Sequence, residues 1–153
     1  MARAGFYAIQ SSVIRFGRDG LWYSDDEPIA NPRIARLFSQ HVVRQPDGSY
    51  RIEIDWDKAA IQVEDTPYVV RKLDAGEAGD FIVELNDETQ EPLDLTSLEI
   101  SGENVLYCRV KGGAERARFL RPAYYQLAPH MQVTVDGFVV RAGGQEHPIN
   151  RAG

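Results

Sequence analysis

The chain has 153 residues, of which 43% are hydrophobic and 26% charged, and its 23 acidic and 17 basic side chains give a formal net charge of −6. These values are typical of a soluble globular protein and lie outside the ranges of disordered and membrane-spanning chains. The acidic balance argues against nucleic acid as a partner, so any bound anion requires a local basic site.

The first predicted elements along the chain are two short strands and a helix. Apolar runs at residues 13–16 and 21–24 flank a glycine-containing turn, which predicts a strand pair. Asn31-Pro32 is typical of a helix start, with asparagine as the N-cap and proline in the first turn. Apolar residues then recur at helical spacing, which predicts one main helix at about 32–43.

The middle of the chain has the two-residue period of β-strands. Residues 50–57 alternate between apolar and charged side chains, with Trp56 on the apolar side and Asp57 on the charged side. This pattern predicts a strand with one buried and one solvated face. Three further strands are predicted, at 60–64, 68–73 and 81–85.

The last third of the chain is predicted less sharply. Residues 105–110 form another strand-like run, which Lys111-Gly112-Gly113 ends. A helix starting at Ala114 would be interrupted by Pro122, and the apolar positions fit neither the helix nor the strand period. We therefore expect strands or irregular structure around Pro122. A terminal hairpin is predicted about the turn at Asp136-Gly137.

Together these elements predict an α+β fold that is rich in antiparallel strands, with residues 1–153 in a single compact domain. The words D-G-L and E-P-I near Asp19 are echoed by D-G-F and H-P-I near Asp136. The echo predicts two similar halves, about 13–75 and 80–150. The alternative is that these are common turn words of any β-rich protein. Unrelated strand orders in the two halves would decide for the alternative.

Three sequence words occur in the order and approximate spacing of a known bacterial family: G-L-W-Y-S-D-D-E-P-I-A-N-P-R-I-A-R-L-F, P-D-G-S-Y and I-Q-V-E-D-T-P-Y. Over residues from about 20 to 148 the chain resembles domain-of-unknown-function family 1285, whose most specific word here is V-E-D-x-P-[YF]. The resemblance implies a small protein of mixed α and β structure in a bacterial cytoplasm. It implies no activity and no catalytic or binding residue.

The single cysteine and the N-terminal segment also indicate the cytoplasm. Cys108 alone excludes an intramolecular disulfide, and its strand-like surroundings favour a small core residue over a reactive thiol. Residues 1–12 contain no apolar core of a signal peptide, and no run is long enough for a membrane span. We expect a cytoplasmic protein with no membrane partner.

One basic cluster stands out in this acidic chain, with five cations against the single acid Glu115. Guanidinium groups bind phosphate and carboxylate through paired hydrogen bonds, and Gly112-Gly113 can present backbone N–H groups to an anion. The cluster predicts a site for a nucleotide, a phosphate or an acidic peptide. The alternative is that its arginines pair with acids of neighbouring strands. The predicted ligand-binding residues are Arg109, Lys111, Arg116, Arg118 and Arg121.

The other polar residues give no pattern that predicts a cofactor, a metal or a catalytic residue. The acids at 55, 57, 64 and 65 lack the spacing of a calcium or magnesium loop. The three histidines have no ligand spacing, and no serine lies in a hydrolase motif. Five aromatic residues could line a pocket, but in a β-rich domain they more often complete the core; they are Trp22, Tyr23, Trp56, Tyr124 and Tyr125.

We therefore expect a non-catalytic binding or interaction module whose arginine cluster attracts anions, with a small anionic ligand or a protein as its partner. The alternative is an acid/base enzyme acting on an anionic small molecule, with Asp65 or Glu64 in its site. Such an enzyme needs a carboxylate of raised pKa that faces the arginines in a deep pocket. A self-associating protein is a third class, so a homo-oligomer stays open.

Overall fold

The computed structural model describes residues 12–76 and 79–151. The chain divides between Pro67 and Tyr68 into two units, each built on its own sheet. Most neighbouring strands run antiparallel and the helices are few, so the predicted α+β class is confirmed. Among the described residues, no helix is both long and apolar enough to cross a membrane.

The first unit is a six-stranded sheet with one helix. The sheet order is β3-β2-β1-β6-β5-β4, in which β1 and β6 run parallel and the other neighbours antiparallel. Its elements in chain order are β1 (Ile14–Phe16), β2 (Trp22–Ser24), β3 (Glu27–Pro28), helix α1 (Pro32–Gln40), β4 (Val42–Arg44), β5 (Tyr50–Ile54) and β6 (Asp57–Val63).

Helix α1 begins where the sequence predicts and ends earlier. The Asn31 side chain accepts a hydrogen bond from the Arg33 N–H at 2.9 Å, which satisfies a backbone donor of the first turn. The helix ends at Gln40, because the residues that follow form its cap and strand β4. The buried Trp22 donates its indole N–H to Ser39 Oγ at 2.9 Å, which fastens the helix to β2.

The predicted strand over 50–57 is wrong at its end. Strand β5 stops at Ile54, and a two-residue turn of Asp55 and Trp56 connects it to β6. Asp55 has a φ of 54°, so the alternation of faces does not continue through the turn. As a result Trp56 is 87% exposed and Asp57 is buried, the reverse of the predicted faces.

The second unit contains a seven-stranded sheet, a three-stranded sheet and one short helix. The sheet orders are β16-β10-β11-β12-β7-β8-β9 and β13-β14-β15. Its elements in chain order are β7 (Tyr68–Ala75), β8 (Phe81–Leu85), β9 (Gln90–Pro92), β10 (Glu99–Ile100), β11 (Leu106–Val110), β12 (Glu115–Phe119), helix α2 (Arg121–Leu127), β13 (Met131–Thr134), β14 (Gly137–Ala142), β15 (Gln145–Pro148) and β16 (Asn150–Arg151), with 3₁₀ turns at Leu95–Ser97 and Ala128–His130.

The expected strand or irregular structure around Pro122 is wrong, because helix α2 lies there. Pro122 falls in the first turn, where a backbone N–H has no helical partner and its loss costs little. Ala123 and Leu127, one turn apart, are fully buried in the core of the unit. The N-cap, Leu120, makes no side-chain cap bond, so the usual sequence signal of a helix start is missing.

The sheets of the two units share one order over six strands, and β16 adds a seventh strand beside β10 in the second unit. In each, a three-stranded meander is followed by a second meander, and the first strand of the first runs parallel to the last strand of the second. The Glu64 N–H donates to the Phe16 carbonyl at 3.0 Å, and the Leu120 N–H donates to the Val70 carbonyl at 3.0 Å. Equal strand orders favour related halves over chance turn words. The limits of the halves, and the single domain over 1–153, stay predictions.

The three-stranded sheet repeats the first meander of the chain. The Ile29 N–H donates to the Trp22 carbonyl at 2.9 Å, and the Ile149 N–H donates to the Phe138 carbonyl at 2.9 Å. Each isoleucine directly follows the proline that ends a third strand, β3 in one case and β15 in the other. The P-I words therefore occupy equivalent positions in the meanders β1-β2-β3 and β13-β14-β15, whereas Asp19-Gly20 lies in the loop before β2 and Gly137 is the first residue of β14.

Candidate functional site

The predicted basic cluster lies along the β11–β12 hairpin and the start of α2. The register pairs Arg109 with Arg116 and Tyr107 with Arg118 on the antiparallel strands. Residues opposite each other on antiparallel strands share a face of the sheet, so these three arginines lie on one face. The contacts of the five cations nevertheless separate them into different roles.

Lys111 is bound to acidic residues of its own unit. Its Nζ lies 2.6 Å from Asp87 Oδ2 and 3.0 Å from Thr89 Oγ1, and its backbone N–H donates to the Glu91 carboxylate. Burial raises the pKa of the Asp87 carboxyl, but hydrogen bonds from Lys111 and Thr89 outweigh it and leave that pKa below its usual value. Lys111 therefore neutralises a buried carboxylate in the fold.

Arg116 is also engaged, whereas Arg109 is exposed. Arg116 Nη2 lies 3.4 Å from Glu99 Oε2 on β10, and its guanidinium carbon lies 3.9 Å from the centre of the Tyr107 ring. This is the alternative that the sequence left open, an arginine paired with an acid of a neighbouring strand. Arg109 has an exposed side chain, and its backbone N–H donates to Ser97 Oγ at 2.9 Å.

Arg118 and Arg121 line one cleft of about 410 Å³ within the second unit. Two neighbouring aromatic residues, Tyr124 and Tyr125, form part of its wall, with ring centres 6.1 Å apart and planes at 86°. The Tyr125 side chain is 65% exposed, and Arg121 is exposed at the start of α2. The cleft therefore combines two guanidinium groups with an aromatic wall.

The walls of the cleft are held by backbone bonds and by the core. The Leu120 N–H donates to Val70, and the Tyr124 N–H donates to the Leu120 carbonyl at 3.0 Å, which fixes the start of α2 beside β7. Ser101 Oγ accepts from the Val105 N–H at 3.1 Å and orders the loop that precedes β11. These bonds fix the backbone at the start of α2 and in the loop before β11, so Arg121 projects from a defined position.

The sequence favours a core role over a pocket role for the five aromatic residues. That role is right for Trp22, which is buried between Phe16 and Phe38. It is wrong for Tyr125. The signal that could have shown this is the helical spacing of Ala123 and Leu127, which places Tyr125 on the opposite side of a short helix.

Glu64, one of the two carboxylates of the enzyme alternative, is paired with cations of its own unit. Glu64 lies in the first unit, 2.7 Å from Arg18 Nε and 3.0 Å from Arg15 Nη1. The hydrogen bond from Arg18 lowers the pKa of Glu64, whereas the enzyme alternative needs a raised pKa.

Burial raises the pKa of the Cys108 thiol to about 12. No group of three or more metal-ligating side chains occurs in the described part of the chain.

Comparisons with known proteins give a family and a fold. Residues 8–66 match the family model described as domain of unknown function (DUF1285), N-terminal domain. A DUF1285 family protein from Silicibacter pomeroyi DSS-3 is similar in structure, with a TM-score of 0.70, 19% identity, and coverage of 90% of this chain and 79% of that one. A DUF1285 family protein from Shewanella baltica OS155 has a TM-score of 0.61 and 17% identity, with 78% and 93% covered. No curated protein matches.

Proposed function

This chain belongs to the DUF1285 family, a family of unknown function, and from that premise we propose that it is a non-catalytic binding module for a small anionic ligand. The cleft of the second unit is the proposed binding site. Its ligand is a molecule with a phosphate or carboxylate group and a flat or apolar body, because the cleft offers both kinds of contact.

The observation that supports this proposal is the position of Arg118 and Arg121 at one cleft beside Tyr124 and Tyr125. Guanidinium groups bind oxyanions through short, charge-assisted hydrogen bonds. Tyrosine rings provide flat apolar area and hydroxyl groups at a low cost in side-chain entropy. Lys111 and Arg116, which bind Asp87 and Glu99, are left out of the proposed site.

A ligand screen followed by substitutions tests the proposal. The panel consists of inorganic phosphate, nucleoside monophosphates, aromatic carboxylates and dicarboxylates, read out by the shift of the melting temperature. For a ligand that stabilises the wild type, we expect R118A and R121A each to weaken binding about tenfold or more in titration calorimetry. The control is R141A, which removes an arginine of β14 that pairs with Glu146 at 2.9 Å and lies outside the cleft.

The outcomes of this experiment separate clearly. Loss of affinity in the two cleft variants and not in R141A supports the site. Equal affinity in all four proteins overturns it, and so does a panel in which nothing stabilises the wild type. Y125A distinguishes the two halves of the cleft, since we expect it to weaken aromatic ligands and to leave inorganic phosphate unchanged.

We also propose that the module works in a bacterial cytoplasm. The support is the chemistry of its lone cysteine, a buried free thiol of the kind that reducing compartments retain. Fractionation of cells that produce the full chain, followed by immunodetection, tests this location. Recovery from the periplasm or the medium would contradict it.

A further inference from the structure

Among the described residues, the last meander of the chain, β13-β14-β15, has no parallel strand beside its first strand, whereas β1-β2-β3 and β7-β8-β9 each have one. Strand β1 pairs with β2 on one side and with the parallel strand β6 on the other, and β7 lies in the same way between β8 and β12. Strand β13 is the counterpart of β1, because the proline words of the two meanders are equivalent and Val133 pairs with Phe138 as Phe16 pairs with Trp22. In the part of the chain that the structure describes, β13 pairs with β14 alone and forms the edge of its sheet.

The backbone of β13 presents unused hydrogen-bonding groups at this edge. Thr134 and Gly137 close a two-residue turn and pair through hydrogen bonds, so the register alternates and Gln132 also bonds to β14. The N–H and C=O groups of Val133 and the C=O of Met131 then point away from β14, whereas the Met131 N–H donates to the Ala128 carbonyl of the preceding 3₁₀ turn. At the position equivalent to Val133, the Phe16 carbonyl accepts the Glu64 N–H from the parallel neighbour of β1 at 3.0 Å.

The Val133 side chain of β13 is also left uncovered by a neighbouring strand. Ile14 and Phe16 of β1 are 1% and 0% exposed, whereas Val133 is 71% exposed. A groove of about 200 Å³ lies beside β13 and is lined by Tyr124, Met131, Val133 and Phe138 among others. This groove has room for one apolar side chain from an incoming strand.

The edge at β13 also lacks the usual protection against strand pairing. Natural edges are blunted by proline, charge or shortness. The end strands β3, β9 and β15 each finish in a proline, namely Pro28, Pro92 and Pro148. Strand β13 has the sequence M-Q-V-T, which contains neither a proline nor a charge.

We propose that β13 accepts a parallel β-strand from a partner polypeptide. The strands that fill the equivalent positions specify its chemistry: residues 61–63 of β6 read I-Q-V and residues 117–119 of β12 read A-R-F, apolar at both ends and polar between. The partner is thus an extended segment with an apolar–polar–apolar pattern. A second copy related by a twofold axis would place β13 antiparallel to itself, unlike either filled position.

The test uses the full chain and a peptide copied from its own β6, residues 57–64, D-K-A-A-I-Q-V-E. We expect the peptide to shift the amide resonances of Met131 and Val133 and to give intermolecular contacts of a parallel pair in nuclear magnetic resonance spectra. A scrambled peptide without the alternation is the control, and we expect it to leave both resonances unchanged.

Two variants at one position separate backbone pairing from general apolar contact. V133P removes the outward N–H without removing a bond to β14, so we expect it to weaken the peptide about tenfold or more. V133A keeps that N–H, and we expect a loss of only a few-fold. A circular dichroism melt shows whether V133P is folded. If it is not, V133K, which charges the same edge, replaces it.

Three results overturn the proposal: no shift at Met131 and Val133 in the wild type, equal binding by the wild type and the folded edge variant, or an antiparallel pair. A concentration-dependent dimer that V133P dissociates would assign the edge to a second copy and would also overturn it. The groove beside β13 and the anion cleft share Tyr124, so the two proposals are separated by residues that line only one of them: R121A should leave peptide binding unchanged, and V133P should leave anion binding unchanged.

Discussion

Lys111 and Asp87 form an ion pair of 2.6 Å that connects the turn after β11 to the turn between β8 and β9. The Asp87 side chain is only 6% exposed, and Thr89 donates a second hydrogen bond to its carboxylate at 2.6 Å. A cation predicted from sequence to bind an external anion therefore binds an internal one. Two turns that are far apart in sequence are held together by this contact.

Replacing Lys111 should destabilise the fold. K111M leaves the buried Asp87 carboxylate without its cation, and we expect the free energy of unfolding to fall by about 2 kcal/mol. Urea unfolding followed by circular dichroism measures the change. The control is K72M, since Lys72 lies 3.8 Å from Asp74 in an exposed pair that should contribute less than about 0.5 kcal/mol. Equal losses in the two variants would contradict the structural role of Lys111.

The same pair gives the stability a pH dependence in the acidic range. The pKa of Asp87 in the fold lies below its usual value of 3.8, so its ionised form stabilises the fold above the unfolded pKa. That contribution is lost as the pH falls through the folded pKa. We expect D87N to be less stable than the wild type near neutral pH and to lose less stability on acidification. A pH series of urea midpoints checks this, and parallel curves for the two proteins would refute it.

Ser39 should contribute to stability through the indole of Trp22. S39A leaves a buried indole N–H without this acceptor, which we expect to cost about 1–2 kcal/mol. Tryptophan fluorescence in a W56F background reports on Trp22 alone, since Trp56 is 87% exposed and its replacement should be neutral. S24A serves as the control at a partly exposed serine of the neighbouring strand β2. An unfolding midpoint unchanged by S39A would show that the bond adds nothing.

Cys108 should be inert in the folded protein. The thiol is 1% exposed and burial raises its pKa to about 12, so almost no thiolate is available at neutral pH. We expect a thiol reagent to label no cysteine rapidly in the native chain and one in urea. V133C provides an internal reference, because that position is 71% exposed and should react at once. Rapid labelling of the native wild type would place Cys108 outside the core.

Local signals in the sequence were enough for the class of the fold and for several elements. Asn31-Pro32 predicted the start of α1 because the cap and the proline act within one turn of the chain. The strand pattern at 50–54 was readable for the same reason. The faces of Trp56 and Asp57 and the helix α2 were predicted wrongly because the usual local signals are missing. The turn after β5 has Asp55 where a glycine is usual, and α2 has Leu120 where a polar N-cap is usual.

Long-range pairing explains what the sequence could not predict about the site. Lys111 and Arg116 were grouped with Arg118 and Arg121 because the four are close in sequence. Lys111 and Arg116 instead bind acids brought near by other strands, Asp87 after β8 and Glu99 on β10. Nothing local encodes these contacts. No local sequence signal predicts the parallel pairs of β1 with β6 and of β7 with β12, since no turn connects their strands.

These parallel pairs set the order in which the parts of the chain can fold during synthesis. Ile14 meets Ile61, so the first sheet is joined only when its last strand has left the ribosome, although its hairpins can form earlier. The second sheet in turn waits for Ala117 to reach Tyr68. Each unit should therefore reach its native state in one late step, and refolding should show fast hairpin formation followed by slower sheet closure. A nascent chain arrested before β6 would expose the open edge of β1 to the chaperones of the cell.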